Sequence, residues 1–384
     1  QQTYDGGYIL GGTSNSIAFG DKTENTLGGN DFWIVKTDVT GNILWQNTIG
    51  GMDGDELKSI QQTVDGGYIL GGQSKSNISS DKIENSKGGY DYWLLKIDSL
   101  GNNLWQKTIG GIGNDYFTSL LITNDNGFLL GGYSNSDSSS DKTENSNGSF
   151  DFWVVKTDSL GSIQWQNTIG GNASESLYSM QQSNDGGYIL GGASESNISG
   201  DKTEECKGVS DFWIVKTDVL GSIQWQKTIG GSGLEMVRSI QQTMDSGYIL
   251  CGASYSDISG DKMERNAGFM DFWLIKTDGI GNIQWQNTLG GNDDDLSYSV
   301  LQTSKKNFIV GGYSRSGISG DKTAINKGDY DYWIIKLTDH YNLISGKFYA
   351  DFNSNGIQEI GEPPLPTKKL TEQNTGRFTF TSQN

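Results

Sequence analysis

The sequence predicts an all-β protein, a β-propeller of six four-stranded blades with a repeat period of 60 residues. Two observations predict this fold. The octapeptide DGGYILGG stands at residues 5–12, 65–72 and 185–192, and each position matches the position 60 residues later as far as about residue 336, without insertion or deletion. Tryptophan recurs at the same spacing from Trp33 to Trp333. Repetition at a period of tens of residues is typical of solenoids, propellers and strand arrays.

Each repeat contains four predicted strands and no helical periodicity. Apolar, β-branched and aromatic residues are concentrated in short runs, which glycine-containing turns and one long polar loop (73–90) separate. In the second repeat the runs are LKSIQQT (57–63), YILGG (68–72), DYWLLKID (91–98) and NLWQKTIGG (103–111). The run YILGG is apolar throughout, which indicates a strand buried on both faces.

The fourth strand is predicted to be half buried. In IQWQNTI (163–169), Trp165 and two isoleucines alternate with Gln164, Gln166 and Thr168. We expect the tryptophan face to pack inward and the glutamine face to meet water. Four antiparallel strands cannot bury both sheet faces alone, so such units stack radially as propeller blades. The first innermost strand survives only as QQT at residues 1–3. Six copies of the third strand favour six blades, with a seventh blade upstream of Gln1 as the alternative.

The repeats resemble two known groups. The order of apolar run, Gly-Gly, loop, aromatic strand ending in Asp, turn and Trp resembles the kelch type of blade, although a kelch unit is usually about 50 residues long. Four sequence motifs are similar to repeats of large secreted surface proteins of Bacteroidota, which commonly use the type nine secretion route. These motifs are SNISGDKTE, DFWIVKTD, GSIQWQKTIGG and DGGYILGG. That resemblance covers about residues 1–340 and implies an extracellular or outer-surface location.

Composition and charge exclude several kinds of partner. The formal net charge is −18 and the isoelectric point is near 4.4, which argues against nucleic acid and anionic membranes as partners. The longest apolar runs are far shorter than the roughly 18 residues that span a bilayer, so no membrane insertion is expected. Cys206 and Cys251 stand at repeat positions where the other repeats have other residues. The favoured interpretation is that these positions have diverged by chance, and a disulfide between the two cysteines is the alternative.

Acidic residues recur in the long loop and in the link between repeats. We expect both segments to lie on one face of the propeller, which these acids would ring, and such loops commonly carry function. The long loop supplies Asp21, Glu24, Asp81, Glu84, Asp141, Glu144, Asp201, Glu204, Asp261 and Glu264. The link supplies Asp55, Asp115, Glu175, Glu235 and Asp295. The favoured interpretation is that they accept backbone hydrogen bonds and fix the loops; the alternative is a divalent-cation or cation-assisted glycan site.

Enzyme chemistry is disfavoured by the symmetry of the repeats. A glycosidase needs two carboxyl groups in different environments, whereas identical blades provide identical environments. His340 is the only histidine, so no Ser-His or Cys-His couple can be assembled. The adjacent acids Asp293 and Asp294 break this symmetry, and they are the remaining candidates for acid–base catalysis. The sequence therefore predicts that the protein is not an enzyme, with a carbohydrate-active enzyme as an alternative.

A second segment follows the repeats. All three prolines lie after the last repeat, and we place the boundary between residues 1–343 and 344–384. DFNSNGIQEIGE (351–362) fits the calcium-loop pattern D-x-N-x-N-G-x5-E. Its predicted ligands are Asp351, Asn353, Asn355, the Ile357 carbonyl, Glu359 and Glu362, with an Asx-rich turn as the alternative. The stretch resembles the start of the calcium-binding B-type immunoglobulin-like modules of bacterial surface adhesins, which implies a partial β-sandwich module.

These observations predict a non-enzymatic binding, adhesion or display module on a secreted or cell-surface protein. The expected partners are an extracellular glycan or protein ligand on the acidic loop face and other domains of a larger surface protein. A structural spacer in a long adhesin is the second hypothesis, and it predicts no ligand. Calcium is the one expected cofactor, in the C-terminal loop.

Overall fold

The computed structural model describes residues 1–338 and the backbone of residues 368–373 and 377–382. The chain divides into two units, Gln1–Thr338 and Asp339–Asn384. The division falls close to the boundary that the sequence predicted at residues 343–344. Among the described residues there is no helix long and apolar enough to cross a membrane.

The first unit is a six-bladed β-propeller, as predicted. Blades 1 to 3 consist of β1 (Tyr8–Ser14), β2 (Asp31–Thr37) and β3 (Ile43–Ile49); β4 (Asp55–Gln62), β5 (Tyr68–Ser74), β6 (Asp91–Ile97) and β7 (Asn103–Ile109); β8 (Asp115–Ile122), β9 (Phe128–Ser134), β10 (Asp151–Thr157) and β11 (Ile163–Ile169). Blades 4 to 6 consist of β12 (Glu175–Gln182), β13 (Tyr188–Ser194), β14 (Asp211–Thr217) and β15 (Ile223–Ile229); β16 (Glu235–Gln242), β17 (Tyr248–Ser254), β18 (Asp271–Thr277) and β19 (Ile283–Leu289); β20 (Asp295–Gln302), β21 (Phe308–Ser314) and β22 (Asp331–Leu337).

Each blade is an antiparallel meander in which sequential strands are neighbours. In blade 1 an isolated bridge between Gln2 and Tyr8 stands in place of the first strand. The described part of blade 6 contains its first three strands. The second strand is buried along its whole length in blades 2, 4 and 5, which confirms the prediction for YILGG.

Aromatic pairs join successive blades. The ring centroids of Phe32 in blade 1 and Trp93 in blade 2 lie 4.9 Å apart in a tilted arrangement. The same pair recurs at every later junction, as Tyr92–Trp153, Phe152–Trp213, Phe212–Trp273 and Phe272–Trp333. Offset aromatic pairs add attraction beyond the area they bury. The recurring dipeptides Phe-Trp and Tyr-Trp therefore form the cores between the blades.

The first three residues of the octapeptide, Asp-Gly-Gly, each have a steric or ionic role. In blade 2, Asp65 forms an ion pair with Lys96 at 3.0 Å. Gly66 has a φ of 83°, in the region that favours glycine. A Cβ on Gly67 would lie 2.4 Å from the carbonyl oxygen of Ile97. The tight turn of DGG is thus held against the third strand.

Glutamine side chains connect the first strands of successive blades. Gln241 Oε1 accepts a hydrogen bond of 2.7 Å from the backbone N–H of Gln302 in the next blade. In the opposite direction, Gln302 Oε1 accepts one of 2.8 Å from the backbone N–H of Met244. The first strands of blades 2 to 6 contact one another in succession, which places them at the axis. The recurring Gln-Gln dipeptide therefore cross-links the innermost strands.

The glutamine face of the fourth strand meets water only in part: Gln164 is exposed as predicted, whereas Gln166 is engaged by the long loop. Gln166 Oε1 accepts hydrogen bonds from Trp153 Nε1 and from the backbone N–H of Thr143, while its Nε2 donates to the carbonyl of Asp141. Gln106, the equivalent residue in blade 2, is only 3% exposed. The long loop covers this face, because the loop folds back across the third and fourth strands.

The second unit contains a hairpin within its described part. Strands β23 (Lys368–Gln373) and β24 (Arg377–Ser382) pair in antiparallel register. The predicted calcium loop at residues 351–362 lies outside the described residues, as does most of the predicted β-sandwich module. Both stay predictions.

Candidate functional site

Nine of the ten recurring loop acids accept backbone hydrogen bonds; the side chain of Asp21 accepts none among the described residues. Asp81 Oδ2 accepts one of 3.2 Å from the N–H of Gly50 in the preceding blade, and Glu84 Oε2 accepts one of 2.6 Å from the N–H of Thr108. The Asp contact recurs at Asp141, Asp201 and Asp261, and the Glu contact at Glu24, Glu144, Glu204 and Glu264. Carboxylates used in this way fix the long loop to the sheets. A ligand role for these residues stays a prediction.

The link acids lie beneath the surface. Asp55, Asp115, Glu175, Glu235 and Asp295 are each fully buried. Asp55 Oδ2 accepts hydrogen bonds of 2.6 Å from the N–H of Gly51 and 3.0 Å from Ser76 Oγ. These acids hold the turn between blades, and in this conformation they are covered from any ligand on the loop face.

Each link acid lies near a second buried acid, which belongs to the preceding blade. Burial raises the pKa of these second acids in three of the blades. Asp91, Asp151 and Asp271 are fully buried, and each has an Oδ1 atom without a hydrogen-bond partner among the described residues. Burial raises the pKa of Asp91 and Asp271 to about 6, and that of Asp151 to about 7, with nearby link acids adding repulsion. Burial also lowers the pKa of the neighbouring Lys82 to about 8. These groups are sealed between blades, so they affect stability rather than substrate chemistry.

Two of the loop acids also line a groove between blades 2 and 3. The groove has a volume of about 740 Å³ and is bordered by Glu84, Lys87, Lys107 and Asp141. Lys87 forms an ion pair with Asp141 across the blade junction. No group of three or more His, Cys, Asp or Glu side chains within the described residues is arranged to hold a metal ion.

A different set of side chains converges at the axis of the propeller. The first strand of blades 2 to 6 contains a register shift at the same place, between Leu57 and Ser59 and their equivalents. The bulged residues are Lys58, Thr118, Tyr178, Arg238 and Tyr298. A β-bulge leaves one residue unpaired and changes the direction of its side chain, and bulges are frequent next to functional sites. We call these five residues the bulge ring.

Three members of the bulge ring stack on one another across blades 4, 5 and 6. The guanidinium carbon of Arg238 lies 4.4 Å from the ring centroid of Tyr178 and 5.6 Å from that of Tyr298. Arg238 Nη2 has one contact, with Met236 Sδ at 3.7 Å, and Arg238 Nε is buried without a hydrogen-bond partner among the described residues. A guanidinium can use its five N–H donors for a ligand while its face stacks on tyrosine.

Further aromatic residues extend this cluster on both sides. They lie at the ends of strands next to the long loops, so the cluster opens at the loop face of the propeller. Their ring centroids are 4.7–6.4 Å apart in the pairs Tyr116–Tyr133, Tyr133–Phe150, Tyr133–Tyr178, Tyr298–Tyr313 and Tyr313–Tyr330. We call these rings, together with Tyr178, Arg238 and Tyr298, the inner aromatic row. Burial raises the pKa of Tyr133 to about 12, so its hydroxyl stays protonated at neutral pH.

The inner aromatic row was missed by reasoning from the repeated residues. Its members break the repeat: the equivalents of Arg238 in other blades are Lys58, Thr118, Tyr178 and Tyr298, and the equivalent of Tyr133 in blade 4 is Ala193. The signal that points to it is therefore the set of departures from the 60-residue period that are aromatic or cationic. Departures of this kind on a fixed scaffold are suited to ligand recognition.

Comparisons with known proteins identify no family for this chain. No family model matches the chain. The regulatory protein FlaEY of Caulobacter vibrioides is 26% identical over 184 residues, which cover 44% of this chain and 17% of that protein. This chain thus aligns with less than a fifth of FlaEY.

Several solved structures are similar at low identity. A protein of unknown function from Dyadobacter fermentans has a TM-score of 0.49 and 13% identity, with 88% of this chain and 92% of that chain covered. Hydrazine synthase of Kuenenia stuttgartiensis has a TM-score of 0.45 and 11% identity over 74% of this chain and 72% of that chain. Sqt1 of Chaetomium thermophilum has a TM-score of 0.41 and 12% identity over 86% of this chain and 84% of that chain. Similarity at this level carries no information on function.

Proposed function

We propose that the propeller is a non-enzymatic binding, adhesion or display module of a secreted or cell-surface protein, and that its ligand is bound by the inner aromatic row. One observation carries the proposal. A bulge at the same position of five blades directs variable side chains to the axis, and three of them form the Tyr178–Arg238–Tyr298 stack. The scaffold is constant while this row varies.

The chemistry of the row suits an extracellular glycan, with a protein segment as the second candidate. Tyrosine offers a flat apolar face and one polar hydroxyl, which is the combination that packs on a sugar ring and bonds its hydroxyl groups. Arg238 lacks an acidic partner among the described residues. Its Nε is buried, so the donors that a ligand oxygen would reach are those of the terminal Nη groups. Several of these rings are half buried, and Tyr298 and Tyr330 are 50% and 51% exposed.

A binding role fits this row better than catalysis does. The residues that form the row are tyrosine, phenylalanine and arginine, and Tyr133 with its high pKa is a poor proton acceptor near neutral pH. The buried carboxyl pairs with raised pKa recur at successive junctions and are sealed from solvent. A carbohydrate-active enzyme remains the alternative class, and hydrolysis of a bound glycan in the test below would establish it.

The resemblance of the repeats to secreted surface proteins of Bacteroidota supports the extracellular location. The predicted calcium loop and adhesin-like module at residues 344–384 support it further, because such modules occur in bacterial surface adhesins. Under this proposal, calcium stiffens the C-terminal module and other domains of a larger surface protein present the propeller to its ligand.

A glycan-array and cell-surface screen tests the proposal. The 384-residue chain is compared with a Tyr178→Ala/Tyr298→Ala variant and with Lys58→Ala, which changes the same bulge position outside the stack. Each is measured with calcium and again with EDTA. We expect binding by the original chain and by Lys58→Ala, and loss of binding by the double variant.

Other outcomes contradict parts of the proposal. Binding that survives the double variant but disappears in EDTA would move the site to the carboxylates of the loop face. A complete absence of binding in all conditions would favour the structural-spacer hypothesis.

A further inference from the structure

Two blades carry a cation at the bulge of the first strand, and the two cations differ in what neutralises them. In blade 2, Lys58 Nζ forms an ion pair of 2.8 Å with Glu56 Oε2, two residues earlier on the same strand. In blade 5, Arg238 occupies the bulge, and the residue two positions earlier is Met236. Met236 Sδ lies 3.7 Å from Arg238 Nη2. Blade 5 therefore has the cation, with a thioether at the register position that supplies the counter-ion in blade 2.

A second arginine near the inner aromatic row shows the same contrast. The guanidinium carbon of Arg315 lies 5.1 Å from the ring centroid of Tyr330, and Arg315 Nε forms an ion pair of 3.1 Å with Asp329. Arg238 stacks on tyrosine in the same way but forms no ion pair within residues 1–338. Removing a charge from water is costly unless a partner compensates for the lost hydration. Of these two stacked arginines, Arg238 is the one that calls for an external anion.

The geometry of Arg238 favours a planar anion. Both faces of the guanidinium are next to tyrosine rings, those of Tyr178 and Tyr298, and Nε is buried. The donors that remain for a ligand are the terminal Nη groups. A carboxylate accepts two parallel hydrogen bonds from such a fork, which makes the pair both strong and directional. The flanking rings offer flat apolar surfaces next to the bound anion.

We propose that the inner aromatic row binds an acidic glycan, and that Arg238 pairs with the carboxylate of a uronic-acid unit in that glycan. The sugar rings next to the acidic unit pack on Tyr178 and Tyr298. This inference rests on the binding role proposed above for the row, and it names the chemical class of the ligand.

The other charges of the protein limit how acidic this ligand can be. The formal net charge is −18, and at physiological salt each charge acts over a distance of about 8 Å. Lys58 and Arg315 are already neutralised by carboxylates of the chain. A second anionic group placed close to the first would therefore find no unpaired cation there. A glycan with one carboxylate at the site fits better than a densely charged polyanion or an acidic peptide.

Pairs of oligosaccharides that differ only in charge test the proposal. The probes are oligosaccharides of polygalacturonate, alginate and hyaluronan, each compared with its methyl ester. Esterification removes the charge of the carboxylate and keeps the sugar rings. Isothermal titration calorimetry measures binding to the 384-residue chain. For at least one pair, we expect the acid to bind at least tenfold more tightly than its ester, because hydrogen bonds to a charged group are stronger than those between neutral groups.

Three variants assign this preference to Arg238. Met236→Glu supplies the carboxylate that neutralises the cation of blade 2, and Met236→Leu is the matched control without charge. Arg238→Gln removes the cation itself. We expect Met236→Glu and Arg238→Gln to bind acid and ester alike, and Met236→Leu to keep the preference for the acid. Circular dichroism with thermal unfolding establishes that each variant is folded, and Arg238→Gln carries the test if Met236→Glu is not.

The remaining outcomes separate this inference from the proposed function. Equal affinity of the original chain for acid and ester, with binding lost in Tyr178→Ala/Tyr298→Ala, would overturn the acidic class and leave the binding role intact. A preference for the acid that survives Arg238→Gln would overturn the role of Arg238. Binding of an oligoglutamate peptide and of no oligosaccharide would make the ligand a protein segment. Binding of no probe, acidic or neutral, would contradict the proposed function and this inference together.

Discussion

The guanidinium of Arg238 lies between two tyrosine rings, 4.4 Å from the centroid of Tyr178 in the preceding blade and 5.6 Å from that of Tyr298 in the following blade. Equivalent positions of three consecutive repeats thus meet at the axis. A residue that stacks on aromatic faces keeps its planar N–H groups free at its edge. Substitutions at one repeat position thus give the propeller a local site, the Tyr178–Arg238–Tyr298 stack, that the other blades lack.

Arg238 should contribute strongly to the affinity for any ligand identified in the binding screen. Arg238→Ala removes hydrogen bonds from a charged donor, which are worth about 1.5–3 kcal/mol each. We therefore expect affinity to fall by about ten- to a hundredfold. Arg238→Lys keeps the charge but loses the planar fork, so it should recover only part of the affinity. Isothermal titration calorimetry measures all three proteins, and unchanged affinity in Arg238→Ala would exclude the stack from the site.

Glycine at the end of the second strand should be indispensable in blade 2 and replaceable in blade 1. A Cβ on Gly72 would lie 2.2 Å from the backbone oxygen of Glu56, whereas a Cβ on the equivalent Gly12 meets nothing within 4 Å. Blade 1 lacks the first strand that makes this contact. We expect Gly72→Ala to lower the free energy of unfolding by more than about 2 kcal/mol and Gly12→Ala to change it by less than about 1 kcal/mol. Urea unfolding of both variants checks this, and equal effects would contradict it.

Much of this fold is predictable from the sequence because its determinants are local. The alternation of the strands and the turn at Gly66 follow from residues that are adjacent in the chain. The cover over Gln106 was not predictable, because it depends on how the long loop folds back over the fourth strand. The burial of Asp55 was not predictable either, since the residue is enclosed by side chains of a neighbouring turn.

The inner aromatic row was not predictable from the sequence, because its residues depart from the repeat pattern. Repetition draws attention to residues such as Glu84, whose backbone contact is made in every complete blade. Arginine occurs once at the register position of Arg238, and tyrosine occurs in two blades at that of Tyr133, as Tyr133 and Tyr313. No spacing in the sequence connects Arg238 with these tyrosines. Their proximity results from the bulge in the first strand and from the convergence of blades at the axis.

The stability of the propeller should fall as pH rises from about 4 to about 7. Burial raises the pKa of Asp91 to about 6 and of Asp151 to about 7, while both ionise near 3.9 in the unfolded chain. In this window the folded state holds protons that the unfolded state has released, so rising pH favours unfolding. The stability that these groups contribute is complete below about pH 4 and is lost as pH passes their folded pKa values.

A matched pair of variants isolates this effect. Asp91→Asn removes one titrating group, so its unfolding free energy should depend less on pH between about 4 and about 7. Asp98→Asn serves as the control, because hydrogen bonds from Asn102 lower the pKa of Asp98 and it is already ionised in this window. Urea unfolding across the window measures each slope. A slope of zero or of opposite sign in the original chain would contradict the assignment.

The two cysteines should be present as unreactive thiols in the folded protein. Cys251 is fully buried and Cys206 is partly buried, and both are free. Burial raises the pKa of the Cys251 thiol to about 12 and that of Cys206 to about 11, and the thiolate is the reactive form. Ellman's reagent at neutral pH should therefore react slowly with the folded chain and rapidly with both thiols in guanidinium chloride. Failure to find two thiols after unfolding would support the disulfide alternative.

Calcium binding by residues 351–362 should depend on the first and last acids of the motif. Asp351 and Glu362 occupy the two positions that supply charged oxygen ligands in loops of this pattern, and the last residue often provides two oxygens. We expect Asp351→Asn and Glu362→Gln each to weaken calcium uptake at least tenfold, measured by isothermal titration with the 384-residue chain. Asp321→Asn, in the propeller loop, is the control and should leave the C-terminal site unchanged. Calcium uptake that is lost in Asp321→Asn but kept in both loop variants would instead assign the cation to the carboxylates of the propeller.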